Sequence, residues 1–552
     1  MRRFLYSLLF LFLIISCSKD NGGGGGGGQV PEPVTDDVSQ YQARTWDKSK
    51  RGGVFYEIFV RSFADGNGDG VGDLKGITAK LDYLNELGVS GIWITPIHKT
   101  GSYHGYDVED YKSVAADLGT QADFDAMIAK AHSLGIKVIL DFVVNHTSKF
   151  HPWFTSAISS ETSSYRNYFL FAPANEVQQW ISNGMVPMTN YYSAGQWHNV
   201  PSGTTGFKYM GMFSDWMPDI NFGPVSTCEN SDPFKAIVDA AKFWLGKGVD
   251  GFRLDAVKHV YQNEDSDENP IFLQKFYNEL KKTKADIYMV GENLTGDYQK
   301  VAPYYKGLPA MFNFDAWYKL IYAINNAHAK WYPKDIIDME NRFVQVRTDF
   351  INATKLSNHD EDRTISVLGT DKMKARIAAA IMLTVSGSPY LYYGEELGML
   401  GMKGNDDKNV REPFLWSNFS TDIHRAKWFT PANSTDNTVK PLNQQMTDYE
   451  SLYRIYKKFI ELRNTYPALA SGTMTLPSNF DSYPKNFMVF YREAAGEKLL
   501  IVHNVSSNYT RYEINQKVKK AIADMGRVNY TQEPNDNLSM LMPPYSTIIF
   551  EI

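Results

Sequence analysis

With 552 residues, 43% hydrophobic and 21% charged, the sequence has the balance of a globular chain, and its length exceeds what one hydrophobic core serves. A formal charge of −6 and the lack of any basic stripe exclude nucleic acid as a natural partner. Aromatic residues make up 14%, including 34 Tyr and 11 Trp; such rings suit the flat apolar faces of sugars, although most aromatics in any protein are core.

At the N-terminus, Arg2 and Arg3 precede the apolar run from Phe4 to Ile15, then Ser16 and Cys17. A charged start and a short apolar stretch read as a secretory signal, too short to cross a bilayer as a helix. Ile14-Ile15-Ser16-Cys17 resembles a bacterial lipobox, which would make Cys17 the lipidated first residue after a signal of residues 1–17. Residues 18–44, with the glycine run Gly22–Gly28, read as a flexible tether. The expected location is extracytoplasmic, on the outer membrane through a lipid anchor, and Lys19-Asp20-Asn21 resembles a surface-export signal. Cys228 is the one other cysteine, so no intrachain disulfide is expected in the mature chain.

From Trp46 onward, strand and helix patterns alternate. Val54 to Val60 reads as a buried strand, followed by a helix from Ile77 to Leu87 that stops at Gly88. Strand Gly91 to Ile94, helix Asp123 to Ser133 and strand Lys137 to Phe142 come next. Helix Phe234 to Leu245 then leads into the strand that delivers Asp255. Later strand candidates are Ile287 to Gly291, Ala310 to Phe314, Ala353 to Ser357 and Tyr390 to Tyr393. Eight strands alternating with helices predict an α/β fold, the (β/α)8 TIM barrel, over residues 45–146 and 217–465. Residues 147–216 interrupt it after the third strand, rich in Ser, Tyr, Asn, Trp and Gly and without a clear period. Such an insertion would rise over the C-terminal face of the barrel. Trp153, Trp180, Tyr191, Tyr192 and Trp197 could line a cleft there. From residue 466 to 552 the texture becomes short strands with turns, which predicts an antiparallel β-sandwich.

Polar groups gather at the predicted strand ends. Asp255 follows its strand two residues after Arg253, whose charge and forked hydrogen bonds could keep it ionised. Glu292 follows the next strand; Asn358, His359 and Asp360 follow a later one; Asn145 and His146 follow the third. In a barrel these ends converge. Convergent carboxylates with histidines and an arginine suit glycoside hydrolysis, which needs one acid and one carboxylate astride an oxocarbenium-like transition state. Separately, Asp65, Asn67, Asp69, Val71 and Asp73 alternate with glycines, the oxygen-ligand pattern of a Ca²⁺ loop. It departs from an EF-hand, because Gly76 stands where the bidentate Glu would be.

Asp141-Phe142-Val143-Val144-Asn145-His146, Gly251 to His259, Val290-Gly291-Glu292-Asn293 and Ser357-Asn358-His359-Asp360 resemble, in order, the four signatures of the α-amylase family of glycoside hydrolases. Met217 to Asn221 and Gly387 to Gly394 resemble two further signatures. The resemblance implies Asp255 as nucleophile, Glu292 as general acid and then base, and Asp360 as the residue that stabilises the distorted sugar. It also implies Arg253 as the residue that orients Asp255 in the substrate site, and His146, His359, His104 and Tyr106 as contacts of the sugar, with Tyr106 stacked on it. Ala256 with Lys258-His259 resembles α-amylases, while oligo-1,6-glucosidase relatives usually carry Val at that alanine. Two features point instead to exo-acting, oligo-1,6-glucosidase or neopullulanase branches: Met217-Pro218-Asp219-Ile220-Asn221, and Arg411 within Val410 to Trp416. The family also implies Ca²⁺ or Mg²⁺ in the Asp65–Asp73 loop and a second Ca²⁺ held by Asn145, Asp219 and the His259 carbonyl. The expected partners are an α-glucan (starch, maltooligosaccharides or pullulan), the membrane through the anchor, and glycan-uptake proteins; no organic cofactor is expected.

Overall fold

The computed structural model describes residues 53–185 and 196–552. Cys17, the tether, Tyr191 and Tyr192 lie outside them. Eight parallel strands close into a barrel in sequential order. They are β1 (Phe55–Ile58), β2 (Gly91–Ile94), β3 (Lys137–Phe142), β4 (Gly251–Leu254), β5 (Tyr288–Gly291), β6 (Ala310–Phe312), β7 (Ile351–Lys355) and β8 (Ser388–Tyr392). Their near-continuous apolar runs are what strands need when one face fills a lumen and the other lies under helices. Phe55, Trp93, Ile139, Tyr288, Val290, Phe312 and Tyr390 form that lumen core. Phe55 stacks on Tyr390 at 4.7 Å and on Tyr288 at 5.1 Å, and the two tyrosine hydroxyls meet at 2.8 Å. The barrel is thus plugged by aromatics, and polar side chains collect at its C-terminal ends. Closure is tight at Gly251, where an added Cβ would lie 1.7 Å from the Tyr288 carbonyl oxygen.

Several strand ends differ from the sequence reading, and two of them have a clear cause. The first strand stops at Ile58 because Val60–Phe63 coils into a helical turn. The seventh is Ile351–Lys355, since Ser357 leaves the ladder to donate its hydroxyl to Glu395 at 3.1 Å. The helices are capped as their sequences suggest. Asp73 accepts from the Gly76 amide at the start of Leu74–Leu87, and Gly88, at φ 99°, ends that helix.

The insertion is more ordered than its composition predicts. It holds helices Pro152–Ser159 and Ala174–Ser182 and a three-stranded sheet of Phe171–Pro173, Trp197–Asn199 and Phe207–Met210. Elements this short leave no readable period. Trp153 does not line a cleft: it packs on His151 at 4.3 Å and stacks on Tyr111 at 5.9 Å. Trp180 and Trp197 meet edge to face at 5.7 Å.

Beyond the barrel, a five-stranded and a three-stranded antiparallel sheet enclose Phe487, Val489, Leu500, Val502, Leu538, Met540, Ile548 and Phe550. Two buried arginines brace the junction, Arg492 between the sheets and the barrel and Arg463 on the barrel side of it. Arg463, on helix Leu452–Thr465, donates to the carbonyls of Leu383, Val385 and Gly387. Arg492 donates to those of Thr384, Leu469 and Gly472. The Leu383 and Thr384 carbonyls belong to the last turn of helix Lys372–Thr384, where intrahelical donors have run out and a cation is favourable. Among the described residues no helix is long and apolar enough to cross a membrane. Arg492→Met keeps the apolar volume but strands three carbonyls. It should lower stability by about 2–3 kcal/mol, seen by calorimetry as a lower unfolding midpoint; an unchanged midpoint would mean the carbonyls find other donors.

Candidate active site

One buried guanidinium organises the C-terminal mouth of the barrel. Arg253, on β4, is 0% exposed. Its Nη1 donates to both oxygens of Asp141, at 2.9 and 3.1 Å, and to Asp255 Oδ1 at 2.6 Å. Its Nη2 lies 2.9 Å from Glu292 Oε1, close enough for charge attraction but not aligned as a hydrogen bond. The expected fork onto Asp255 is absent, because Asp141 takes that share of the donor. Strand register explains the meeting: Arg253 pairs across to Asp141 on β3 and to Val290 on β5. The Glu292 amide donates to the Leu254 carbonyl at 3.0 Å, so the ladder runs on and sets Glu292 level with Asp255. Neighbouring strands lie about 4.8 Å apart.

Burial, opposed by Arg253, pushes Asp255 upward; it does the same to Glu292, where the charges of Asp255 and Asp360 add to the rise. Burial pushes Asp141 up to about 7 against the pull of Arg253. Asp141 also accepts from the Tyr106 hydroxyl at 2.8 Å and Trp93 Nε1 at 3.2 Å, a donor set that favours the charged form. Burial alone would weaken the cation of Arg253, but Asp141 and Glu292 hold it well above its ordinary range.

A second group faces the first. His359 Nδ1 lies 2.6 Å from Glu57 Oε1; its Nε2 lies 3.0 Å from Asp360 Oδ2 and 2.6 Å from the Tyr106 hydroxyl. Burial would lower this imidazole, yet Asp360 and Glu57 carry it up to about 10. The raised value stabilises the fold fully below about pH 6.5, and that contribution fades as pH rises toward about 10. Burial would raise Asp360, but His359 and Arg411 hold it well below the usual carboxylate range. Arg411 is 2% exposed and spends its donors on the His359 carbonyl, Tyr103, Asp360 and Asp407. His104 Nδ1 accepts from the Tyr106 amide at 3.2 Å and faces the Ser102 hydroxyl at 3.1 Å.

His146 is buried, and its Nε2 has no hydrogen-bond partner. Burial lowers it to about 4, so it is a neutral imidazole with one free nitrogen. Phe213 lies 5.4 Å from it and 5.3 Å from His259. Lys258 pairs with Glu264 at 3.1 Å and donates to the Leu294 carbonyl at 3.2 Å. Asn145 Oδ1 is buried without a partner, while its Nδ2 donates to Asp219 at 3.2 Å. Burial pushes Asp219 up to about 7, with amide donors from Met212 and Asn145 and no cation opposing. In the Asp65–Asp73 loop, oxygens of Asp65, Asn67 and Asp69 accept from the amides of Gly68, Asp69 and Val71. Asp73 Oδ2 is buried and free. Among the described residues, no three His, Cys, Asp or Glu side chains already converge on a metal position.

Asp141, Glu57, Trp93 and Tyr103 were not singled out in the sequence. A charged residue inside an apolar strand, as at Glu57 and Asp141, was the available signal. Asp141→Ala should strip the buried donors of Arg253, Tyr106 and Trp93 of their shared acceptor and cost about 3–5 kcal/mol of stability. Activity should fall more than a Trp93→Phe change lowers it, as measured by melting and initial rates together.

A family model described as the alpha-amylase catalytic domain matches residues 57–472, and one described as the alpha-amylase SusG C-terminal domain matches residues 487–549. Alpha-amylase SusG of Bacteroides thetaiotaomicron is 37% identical, with 95% of each chain covered. That alignment spans 664 positions against 552 residues here, so part of that relative has no counterpart in this chain. Alpha-amylase 3 of Dictyoglomus thermophilum is 37% identical over 90% of this chain and 93% of its own. The crystal structure of an alpha-amylase from H. orenii superposes with a TM-score of 0.81 at 34% identity, covering 91% of this chain and 99% of the other. The chain belongs to the α-amylase family of glycoside hydrolases.

Proposed function

We propose that this protein is a retaining hydrolase of α-1,4-linked glucans, acting on starch and maltooligosaccharides through Asp255 and Glu292. The observation that carries the reading is three buried carboxylates on one guanidinium. A single positive charge cannot neutralise three negative ones held this deep in the protein. One carboxyl is therefore driven to hold a proton. Asp141 and Asp255 accept aligned hydrogen bonds from Arg253, and Glu292 does not. The proton thus belongs on Glu292, which protonates the glycosidic oxygen while ionised Asp255 attacks the anomeric carbon. The leaving sugar departs as an alcohol; Glu292, now ionised, takes a proton from water, and water displaces Asp255. Level placement on neighbouring strands supports a covalent mechanism, which needs carboxyls about 5–5.5 Å apart. Asp360, kept ionised by His359 and Arg411, is suited to sugar hydroxyls, and the free His146 Nε2 to one more.

The α-1,4 preference is supported by the two relatives named as α-amylases and by Ala256. That residue holds a left-handed φ of 47°, which aims its amide at Glu292 Oε2 at 3.2 Å. A Val there would be β-branched in a region that such side chains avoid. Exo action remains the rival, and chain-length analysis of amylose digests separates the two: mixed oligosaccharides for endo cleavage, glucose alone for exo.

Ca²⁺ fits both candidate metal sites by donor chemistry. Asp65, Asn67, Asp69, Asp73 and the Val71 carbonyl would supply hard oxygens to one, with Asp73 Oδ2 unclaimed. Asn145 Oδ1, also unclaimed, and Asp219, a buried carboxylate with no cation, would begin the other. A bound Ca²⁺ would neutralise these oxygens and fasten Asn145 to Asp219, where the chain returns from the insertion. Export, lipidation at Cys17, outer-membrane display and contact with glycan-uptake proteins rest on the N-terminal sequence.

Freshly released maltooligosaccharides should carry the α-anomer by NMR, and Asp255→Asn should abolish turnover. Glu292→Gln should lose roughly 10²–10⁴-fold on starch; with α-maltosyl fluoride and azide it should form α-maltosyl azide, which Asp255→Asn should not. Because Glu292 is raised, the alkaline limb of the rate profile should lie above the ordinary carboxylate range and vanish in that variant. A chelator should lower the melting temperature of the wild type, with Ca²⁺ restoring it, and Asp73→Asn with Asp219→Asn should remove that response.

A further inference from the structure

Tyr318 is an aromatic side chain that the mechanism does not use. It lies in helix Phe314–Asn325, which starts directly after β6 at the same end of the barrel as the carboxylates. Tyr318 is 43% exposed, whereas its neighbour Trp317 is 7% exposed, so one ring anchors the helix and the other faces outward. The Tyr318 hydroxyl lies 3.5 Å from Glu361 Oε1, the residue after Asp360. On its other side the ring packs against Gly296, four residues after Glu292; a Cβ on that glycine would come within 3.2 Å of the ring. Tyr318 therefore bridges the loop that carries the acid and the loop that carries Asp360.

Glu361 is itself fixed. It pairs with the buried Lys355 on β7, whose ammonium sits 4.1 Å from the Phe314 ring and 5.1 Å from Trp317. An exposed Tyr held at both hydroxyl and ring edge is pre-oriented, so a ligand that stacks on it need not order it first. Its place decides the ligand. Glu292 protonates the oxygen of the departing sugar, so that sugar leaves alongside the Glu292 loop, the one that Gly296 and the exposed Leu294 continue. We infer that the Tyr318 ring is a stacking platform for the glucose unit on the leaving-group side of the scissile bond, and that it sets how tightly longer glucans and acceptor sugars are held. This rests on the retaining glucan-hydrolase reading, and Tyr318 is a binding residue within it.

The test compares two donors with one glycone. Maltopentaose fills the leaving-group side, and α-maltosyl fluoride leaves it empty. Tyr318→Ala should lower kcat/KM for maltopentaose about tenfold or more while leaving α-maltosyl fluoride within about twofold of wild type. Transfer of the glycosyl group to added maltose should fall in step. Tyr318→Phe keeps the ring and should behave nearly as wild type on both donors. An equal loss on the two donors in Tyr318→Ala, or no loss on either, overturns the platform. If the wild type turns over neither donor, the hydrolase reading fails before Tyr318 is tested. Loss with both Ala and Phe, alongside a lower melting temperature, would assign the residue to loop support instead.

Discussion

Arg253 is the constraint on which the site depends. A fully buried guanidinium needs partners for its charge and its donors, and here carboxylates supply them. Asp141, Asp255 and Glu292 come from β3 and the ends of β4 and β5, three consecutive strands. Barrel closure and site assembly are therefore one event: if the register of β4 slipped by one residue, Arg253 and Asp255 would move together and lose both Asp141 and Glu292. The excess of negative charge over that single cation sets carboxyls of unequal proton affinity side by side, which is what the proposed division into proton donor and nucleophile requires.

The second half of the site depends on the first through Tyr106. Its hydroxyl donates to Asp141 and faces His359 Nε2, so charge runs without a gap from Arg253 to His359 and on to Glu57 and Asp360. Every link is buried or nearly so, where hydrogen-bond chains reinforce one another and unpaired members are costly. Asp360 is the outermost acid, its side chain 32% exposed, yet Arg411 and His359 hold it in place. A carboxylate fixed from behind and open in front is arranged to meet hydroxyl groups.

Much of this was legible in the sequence, and for physical reasons. Strands of a closed barrel are apolar on both faces, so polar residues at their ends stand out; that is how Asp255, Glu292 and His359 could be named from pattern. Asp141 and Glu57 were harder because they lie within strands and look like interruptions. Their role appears only when β3 and β1 are placed beside β4 and the loop after β7. The insertion was opaque for another reason: helices of eight and nine residues are too short to show a period, and Trp153 could not be assigned to core or cleft without its neighbours. Tyr318 resembled any helix residue until Gly296 and Glu361 were seen on either side.

Ala256 carries a consequence for how such an enzyme changes over generations. It follows Asp255, its amide touches Glu292, and its backbone is left-handed. A β-branched side chain placed there would crowd the space beside Glu292 and strain the left-handed backbone at once, so packing at the site and robustness cannot drift independently at this position. A lineage moving toward another linkage must first hold a reserve of stability elsewhere, for example in Arg492, which clasps the C-terminal sheets to the barrel. The accessory sheets would then act as a capacitor, storing tolerance that the catalytic mouth later draws upon.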